Sequence, residues 1–227
     1  MKKIKEFGGN ILSAVMPEFW KSYSELVYWK RRKNKEGDLS NDHYDYFYTE
    51  HFQINHDEYT DKRVLDIGCG PRGSLEWATM ANERIGLDPL ADKYLKLGAD
   101  QHKMKYVTSG SEQIPFRDSY FDIVCSFNSL DHVKNVEESI AEIKRVTAPN
   151  GLFLLMVEAN HKPTNCEPHE IKPEIIKQFE PEFECLMVDF YLPVESGLYE
   201  SVKAQKKLEN PLEADIPGWL SVKFRKI

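Results

Sequence analysis

A chain of 227 residues with 41% apolar and 30% charged side chains can bury a full hydrophobic core, which excludes a disulfide-dependent mini-protein and a disordered or fibrous chain. Its formal net charge of -7 argues against a broad nucleic-acid surface, because phosphate contacts need a positive field. Four dispersed cysteines, Cys69, Cys125, Cys166 and Cys185, form no C-x-x-C pair, so no zinc site or disulfide framework follows from them and a cytoplasmic location is expected.

Residues 1–60 read as an N-terminal helical cap or lid. The opening apolar run at 11–16 is too brief for a signal-peptide core and Pro17 interrupts it, and no apolar run is long enough for a membrane span. A helix packed on its own domain is preferred over an amphipathic surface anchor. The zone is dense in aromatic residues, among them Phe19, Trp20, Tyr23, Tyr28, Trp29, Tyr44, Phe47, Tyr48 and Phe52, and shows no strand-like alternation. Its basic run, Lys30, Arg31, Arg32, Lys33 and Lys35, reads as a solvated helix face ending at Gly37, with a phosphate-bearing substrate as the alternative.

Residues 61–227 alternate short apolar strands with helical patterns, the signature of an α/β sheet wrapped by helices. Strands are predicted at 64–67, 84–88, 105–108, 121–126, 152–157, 184–191 and 219–226. Between the fourth and fifth, Val133, Val136, Ile140 and Ile143 recur at helical spacing, with Asn135 and Glu138 as a capping box and "APNG" as the stop. Leu220, Val222 and Phe224 alternate with Ser221, Lys223 and Arg225, which suits a less buried last strand. The connection at 192–218 is expected to carry a helix around 199–208.

The stretch "VLDIGCGPRGS", residues 64–74, runs from a strand into Gly68, Gly70 and Gly73, a G-x-G-x-x-G turn. Such a turn lets a ligand approach the backbone, and a helix N-terminus after it would offer free N–H groups to an anion. Asp88, about 20 positions after Gly68, is placed to take both ribose hydroxyls of an adenosine. A dinucleotide and S-adenosylmethionine fit these features equally. Asp66 separates them: a carboxylate before the glycines repels a pyrophosphate and attracts the ammonium of a methionine moiety.

In order and spacing, "VLDIGCGPRGS", "IGLDPL", "SGSEQIPF", "FDIVCSFNSLDHV" and "EIKRVTAPNGLFLLM" resemble the successive motifs of class I S-adenosylmethionine-dependent methyltransferases of the type 11 kind, over roughly residues 61–160. The resemblance implies a Rossmann-like seven-stranded sheet with an antiparallel last strand and helices on both faces. It also implies that Gly68 and Gly70 border the methionine part, that Asp66 reaches its amino group, and that Asp88 binds the ribose. Pro89 and Leu90 would flank the adenine. Where the family has Asp-Ala-Glu this chain has Gly110, Ser111 and Glu112, so Ser111, Glu112 and backbone groups would supply the adenine contact.

The acceptor should lie after the fourth strand, at the carboxyl end of the sheet. There Asn128, Asp131 and His132 form N-x-x-D-H, and His161 follows the fifth strand. The arrangement is similar to the E-x-x-E-H plus a later histidine that holds a divalent metal in some O-methyltransferases, with Asn128 in place of the first Glu. His132 or His161 is therefore read as a general base or as a metal ligand with Asp131, the remaining possibility being a loop that shapes the next helix. Glu167, His169 and Glu170 in "NCEPHEI" form a second group, for a polar acceptor or simply a turn. Tyr44 and Tyr48 are candidates for cofactor or acceptor contact from the lid, or core residues. The expectation is an S-adenosylmethionine-dependent methyltransferase acting on oxygen of a small polar acceptor and not on nucleic acid, with a possible divalent metal and no statement on oligomeric state. Its rivals are an N-methyltransferase, a non-catalytic S-adenosylmethionine-binding protein and an NAD-dependent oxidoreductase.

Overall fold

The computed structural model describes residues 17–41 and 44–227, so the apolar run at 11–16 lies outside the described residues. Seven strands form one sheet in the order β3-β2-β1-β4-β5-β7-β6. They are β1 (Arg63–Ile67), β2 (Glu83–Leu87), β3 (Lys105–Val107), β4 (Phe121–Phe127), β5 (Thr147–Ala159), β6 (Phe183–Tyr191) and β7 (Gly218–Lys226). β7 alone runs antiparallel, between β5 and β6, as expected. Sequence order reverses between β1 and β4, and such a reversal opens a crevice at the carboxyl ends of the strands. Asp66 pairs in register with Gly86 and Cys125, so the ends of β1, β2 and β4 stand level at this edge.

One face of the sheet is covered by α4 (Val136–Val146) and a 3-10 stretch at Pro173–Phe179. Ile140, Ile143, Val146, Ile175, Ile176 and Phe179 pack there on Phe121, Phe153 and Phe224. Asn135 caps α4 by accepting from the N–H groups of Glu137 and Glu138. The reciprocal half of the cap comes from Glu112, not Glu138, since Glu112 Oε1 takes the Asn135 N–H (3.3 Å).

The opposite face is built in a way the sequence did not announce. Residues 69–82, where a helix was expected to follow the glycine turn, form only turns and bends. Arg84 holds them by donating to the carbonyls of Leu75 and Glu76 (3.2 and 3.1 Å). The space a helix would fill is taken by α2 (Asp45–Tyr48) and the chain up to Tyr59: Phe47, Tyr48, Phe52 and Tyr59 are buried against Ile123, Cys125, Leu154 and Met156. The same segment covers β7, which is buried along most of its length and is not the less buried strand its alternation suggested. Its polar residues are satisfied there: Ser221 meets His51 Nε2 (2.6 Å) and Lys223 donates to the Phe52 carbonyl (2.6 Å).

Two shorter helices complete the chain, α3 (Ala91–Leu95) and α5 (Leu198–Lys203). α5 stops before the expected 208 because the chain returns to the sheet edge, where the Leu208 N–H bonds the Phe190 carbonyl (2.9 Å).

Candidate functional site

The glycine turn needs its glycines for stated reasons. Gly68 has φ +71, and a Cβ there would lie 2.3 Å from Ser129 Cβ, so the turn and the loop after β4 approach too closely for any side chain. Ser129 itself donates to the Ile67 carbonyl (2.9 Å) and ties β1 to β4 at this edge. Gly70, at φ +58, lies under the ring of Trp29.

Two buried carboxylates flank the turn. The Tyr48 hydroxyl donates to Asp66 Oδ2 (3.1 Å), and burial pushes the Asp66 carboxyl up to about 7 against the pull of the Ser74 and Tyr48 hydroxyls. Asp88 accepts from the N–H groups of Gly70 (3.2 Å) and Leu90 (2.8 Å), and burial, helped by the charge of Glu25, likewise raises it to about 7. Among the described residues neither carboxylate has an ion-pair partner. Such a turn suits a cationic adenosyl compound. A pyrophosphate would meet two buried acids and no helix directly after the glycine turn.

Helix α1 (Pro17–Glu36) lies across this edge of the sheet. Lys21, Glu25, Trp29 and Lys33 recur every fourth residue and so share one face. That face meets the strand ends: Lys21 donates to the His132 carbonyl, Glu25 accepts from the Tyr94 hydroxyl (2.7 Å), and Lys33 donates to the Leu97 carbonyl. Arg72, in the turn, anchors the far end by pairing with Glu36 (2.5 Å), bonding the Ser40 carbonyl (2.9 Å) and lying over the Trp29 ring (5.5 Å). Phe19, Tyr23 and Tyr28 point outward and are about half exposed (57%, 52% and 50%).

The remaining expected cofactor residues are distributed unevenly. Pro89 is exposed and Leu90 buried at the end of β2. The Ser111 hydroxyl is paired with Ser139 (2.8 Å), and Glu112 holds the N–H groups of Lys134 (2.7 Å) and Asn135, so both side chains fasten the start of α4. Asn128 is exposed, with φ +52, at the sharp exit from β4. Tyr48 is a core residue that also touches the site through Asp66, whereas Tyr44 stacks on Tyr199 (4.7 Å).

After β4, at the expected acceptor end, the structure brings together Asp131, His132, His161 and Glu167. Asp131 is fully buried; its Oδ2 lies 3.6 Å from His161 Nε2 and 3.9 Å from His132 Nε2, which is itself 3.7 Å from Glu167 Oε1. Burial raises the Asp131 carboxyl, and the neighbouring His132 opposes this. His169 stands apart, with its Nε2 on the Val133 carbonyl (2.9 Å), so of the second predicted group only Glu167 joins the cluster.

Residues 65–155 match a family model described as a methyltransferase domain. Over that stretch the chain is similar to methyltransferases. Over 129 residues the chain is 33% identical to a probable chloroplastic tocopherol O-methyltransferase of Oryza sativa subsp. japonica, a match covering 52% of this chain and 34% of that one. Over 118 residues it is 35% identical to a ubiquinone/menaquinone biosynthesis C-methyltransferase of Stutzerimonas stutzeri (strain A1501), covering 45% and 43%. The matches thus span about a third to two fifths of these relatives' lengths. The fold is that of an S-adenosylmethionine-dependent methyltransferase from Mesorhizobium loti, with a TM-score of 0.58 at 19% identity, over 74% of this chain and 93% of that one.

Within residues 65–155 the glycine turn, Asp66, Asp88 and the N-x-x-D-H stretch were singled out from motif order. Trp29, Glu25 and Lys21, which lie outside residues 65–155, were not singled out, although their four-residue spacing was a signal that one helix face is committed. No helix of the described residues is long and apolar enough to cross a membrane.

Proposed function

We propose that the protein transfers a methyl group from S-adenosylmethionine to an oxygen of a small polar acceptor. The observation that carries this reading is the pair of buried carboxylates without cations, Asp66 and Asp88, on either side of a glycine turn. Asp66 receives the ammonium of the methionine part, Asp88 the ribose hydroxyls, and Pro89 with Leu90 borders the adenine. The donor, when bound, supplies an electrophilic methyl on a sulfonium. The chain's own task is then to align the acceptor in line with that methyl, keep water away and free a lone pair on the acceptor. Helix α1 closes the site toward solvent through Lys21, Glu25 and Trp29. Asp131, His132 and His161 would serve the acceptor, with an imidazole taking its hydroxyl proton as base; a divalent metal held by them would supply Lewis acidity toward that oxygen. The net charge of -7 favours a small molecule over a nucleic acid as acceptor.

The test is a calorimetric titration of the purified protein with S-adenosylhomocysteine and, separately, with NADH, followed by an acceptor screen that reads S-adenosylhomocysteine release. Binding of the first and not the second is expected. NADH uptake without S-adenosylhomocysteine binding would overturn the reading, and donor binding without turnover on oxygen, nitrogen or carbon acceptors would leave a binding protein.

A further inference from the structure

Four buried polar atoms around Asp131 have no hydrogen-bond partner among the described residues: both Asp131 oxygens, His132 Nε2 and His161 Nε2. A buried polar atom left unpaired costs about 1–3 kcal/mol, and more for a charged group, so four at one point call for an occupant.

The hydrogen bond on the other side of His161 says what kind. His161 Nδ1 lies 3.0 Å from the Lys162 carbonyl, which can only accept, so the ring proton sits on Nδ1 and neutral His161 aims the lone pair of Nε2 at Asp131 Oδ2, 3.6 Å away. Two electron-rich atoms facing each other are relieved by a cation between them. A ring N–H fixed on a backbone carbonyl is also how metal-binding histidines are oriented. Protonating His161 instead would satisfy Asp131 but leave His132 Nε2 an orphan. The nearby Lys21 ammonium directs an N–H to the His132 carbonyl and hydrogen-bonds none of the four orphan atoms.

The spacing agrees. Asp131, His132 and Glu167 each offer one ligand atom within 4.8 Å of the others. Donors around a four-coordinate zinc, at about 2.0–2.1 Å from the ion, stand roughly 3.3–3.5 Å apart. The pairs Asp131–His161, His132–Glu167 and Asp131–His132, at 3.6, 3.7 and 3.9 Å, are close to this spacing; His161 lies outside the 4.8 Å set, so full coordination needs its ring and the Glu167 carboxylate to move inward on binding.

We propose that Asp131, His132 and Glu167, closed from the far side by His161, bind one divalent transition-metal ion. Mixed imidazole and carboxylate donors suit zinc and its neighbours better than magnesium or calcium. The His132 and Glu167 side chains are 30% and 31% exposed, so the ion is reached from their side, where an acceptor oxygen would approach. Metal binding stands independently of methyl transfer; only the use of the ion to acidify an acceptor hydroxyl rests on the proposed function.

The experiment strips the full chain with a chelator, dialyses it and titrates it with Co2+, reading visible d–d absorption, and with Zn2+ by competition. Expected is one equivalent bound, with at least a 10–100-fold loss of affinity in Glu167→Gln and in His132→Gln. Glu167→Gln lies at a partly exposed loop position, and equal thermal unfolding of the metal-free variant and parent confirms that its fold is kept. No stoichiometric binding by the parent, or affinity unchanged in both variants, overturns the site. A parallel S-adenosylhomocysteine titration on the same samples reports the donor reading separately.

Discussion

Replacing Asp66 by Asn tests the centre of the reasoning, because stability and function should move in opposite directions. A carboxyl whose pKa is raised by folding contributes stability that is fully present below its unfolded value, near 4, and is lost as pH rises through the folded value, about 7. The donor-free protein therefore carries a penalty that builds up above pH 4, from about 1.6 kcal/mol at pH 5 to its full size at pH 8. With about 1.4 kcal/mol per pH unit between 3.8 and about 7, the penalty for Asp66 reaches roughly 4 kcal/mol. An Asn side chain removes the charge but adds buried N–H donors, which returns about 1–3 kcal/mol of cost. A net gain of about 1–3 kcal/mol remains. Unfolding entropy near 2.1 cal/mol/K per residue gives roughly 0.5 kcal/mol/K for a chain of this length, so Tm should rise by about 2–6 °C at pH 8 and, at pH 5, where the relieved penalty is about 1.6 kcal/mol, change by no more than about 3 °C in either direction. The same substitution removes a charge-assisted contact of about 1.5–3 kcal/mol to the donor's ammonium, weakening S-adenosylhomocysteine by about 10–150-fold. Differential scanning fluorimetry at both pH values and calorimetry at pH 8 measure the two effects. A Tm unchanged or lowered at pH 8 refutes the strained carboxylate, and unchanged affinity refutes its role toward the ammonium.

Other outcomes follow from the same geometry. S-adenosylhomocysteine should bind more tightly at pH 8 than at pH 6, with net proton release measurable in buffers of different ionisation enthalpy, because Asp66 and Asp88 both hold protons below about 7 in the free protein. Gly68→Ala forces φ +71 on an alanine and drives its Cβ into Ser129, at a combined cost of about 2–5 kcal/mol, or roughly 4–10 °C in Tm. Adding Ser129→Gly should recover the steric part; a single variant as stable as the parent contradicts the close approach. Arg72→Ala removes the Glu36 pair and the contact to Trp29, so limited proteolysis should cut within residues 17–41 sooner while the main unfolding transition stays in place. His132→Ala should abolish turnover in the acceptor screen and leave S-adenosylhomocysteine affinity within about twofold, since His132 makes no contact with the glycine turn; equal loss of both would place it in donor binding instead.

The amino-acid order alone determined the strands and the placing of Asp66 and Asp88 beside the glycine turn, because both are local. Strand, glycine turn and the acid after the next strand sit within one β-turn-β unit, where spacing along the chain is spacing in space. It erred where a local pattern had a distant partner. The alternation of Ser221 and Lys223 with apolar residues suggested a less buried strand, yet His51 and the Phe52 carbonyl, some 170 residues away in sequence, satisfy them in the interior. The residues after Gly70 read as the start of a helix, yet Trp77 packs on Tyr48 and Tyr59, so the aromatic segment occupies the place a helix would have filled. Glu138 looked like the capping partner of Asn135, but Glu112 reaches it from another loop. At the acceptor end, Asp131 and His132 were visible as neighbours, whereas the choice of Glu167 over His169 as their companion depended on which way the 164–169 loop folds back, a matter of tertiary contact. Periodicity and turn chemistry report only what lies within a few residues; which buried charge meets which partner is decided when the packed chain takes both out of water together.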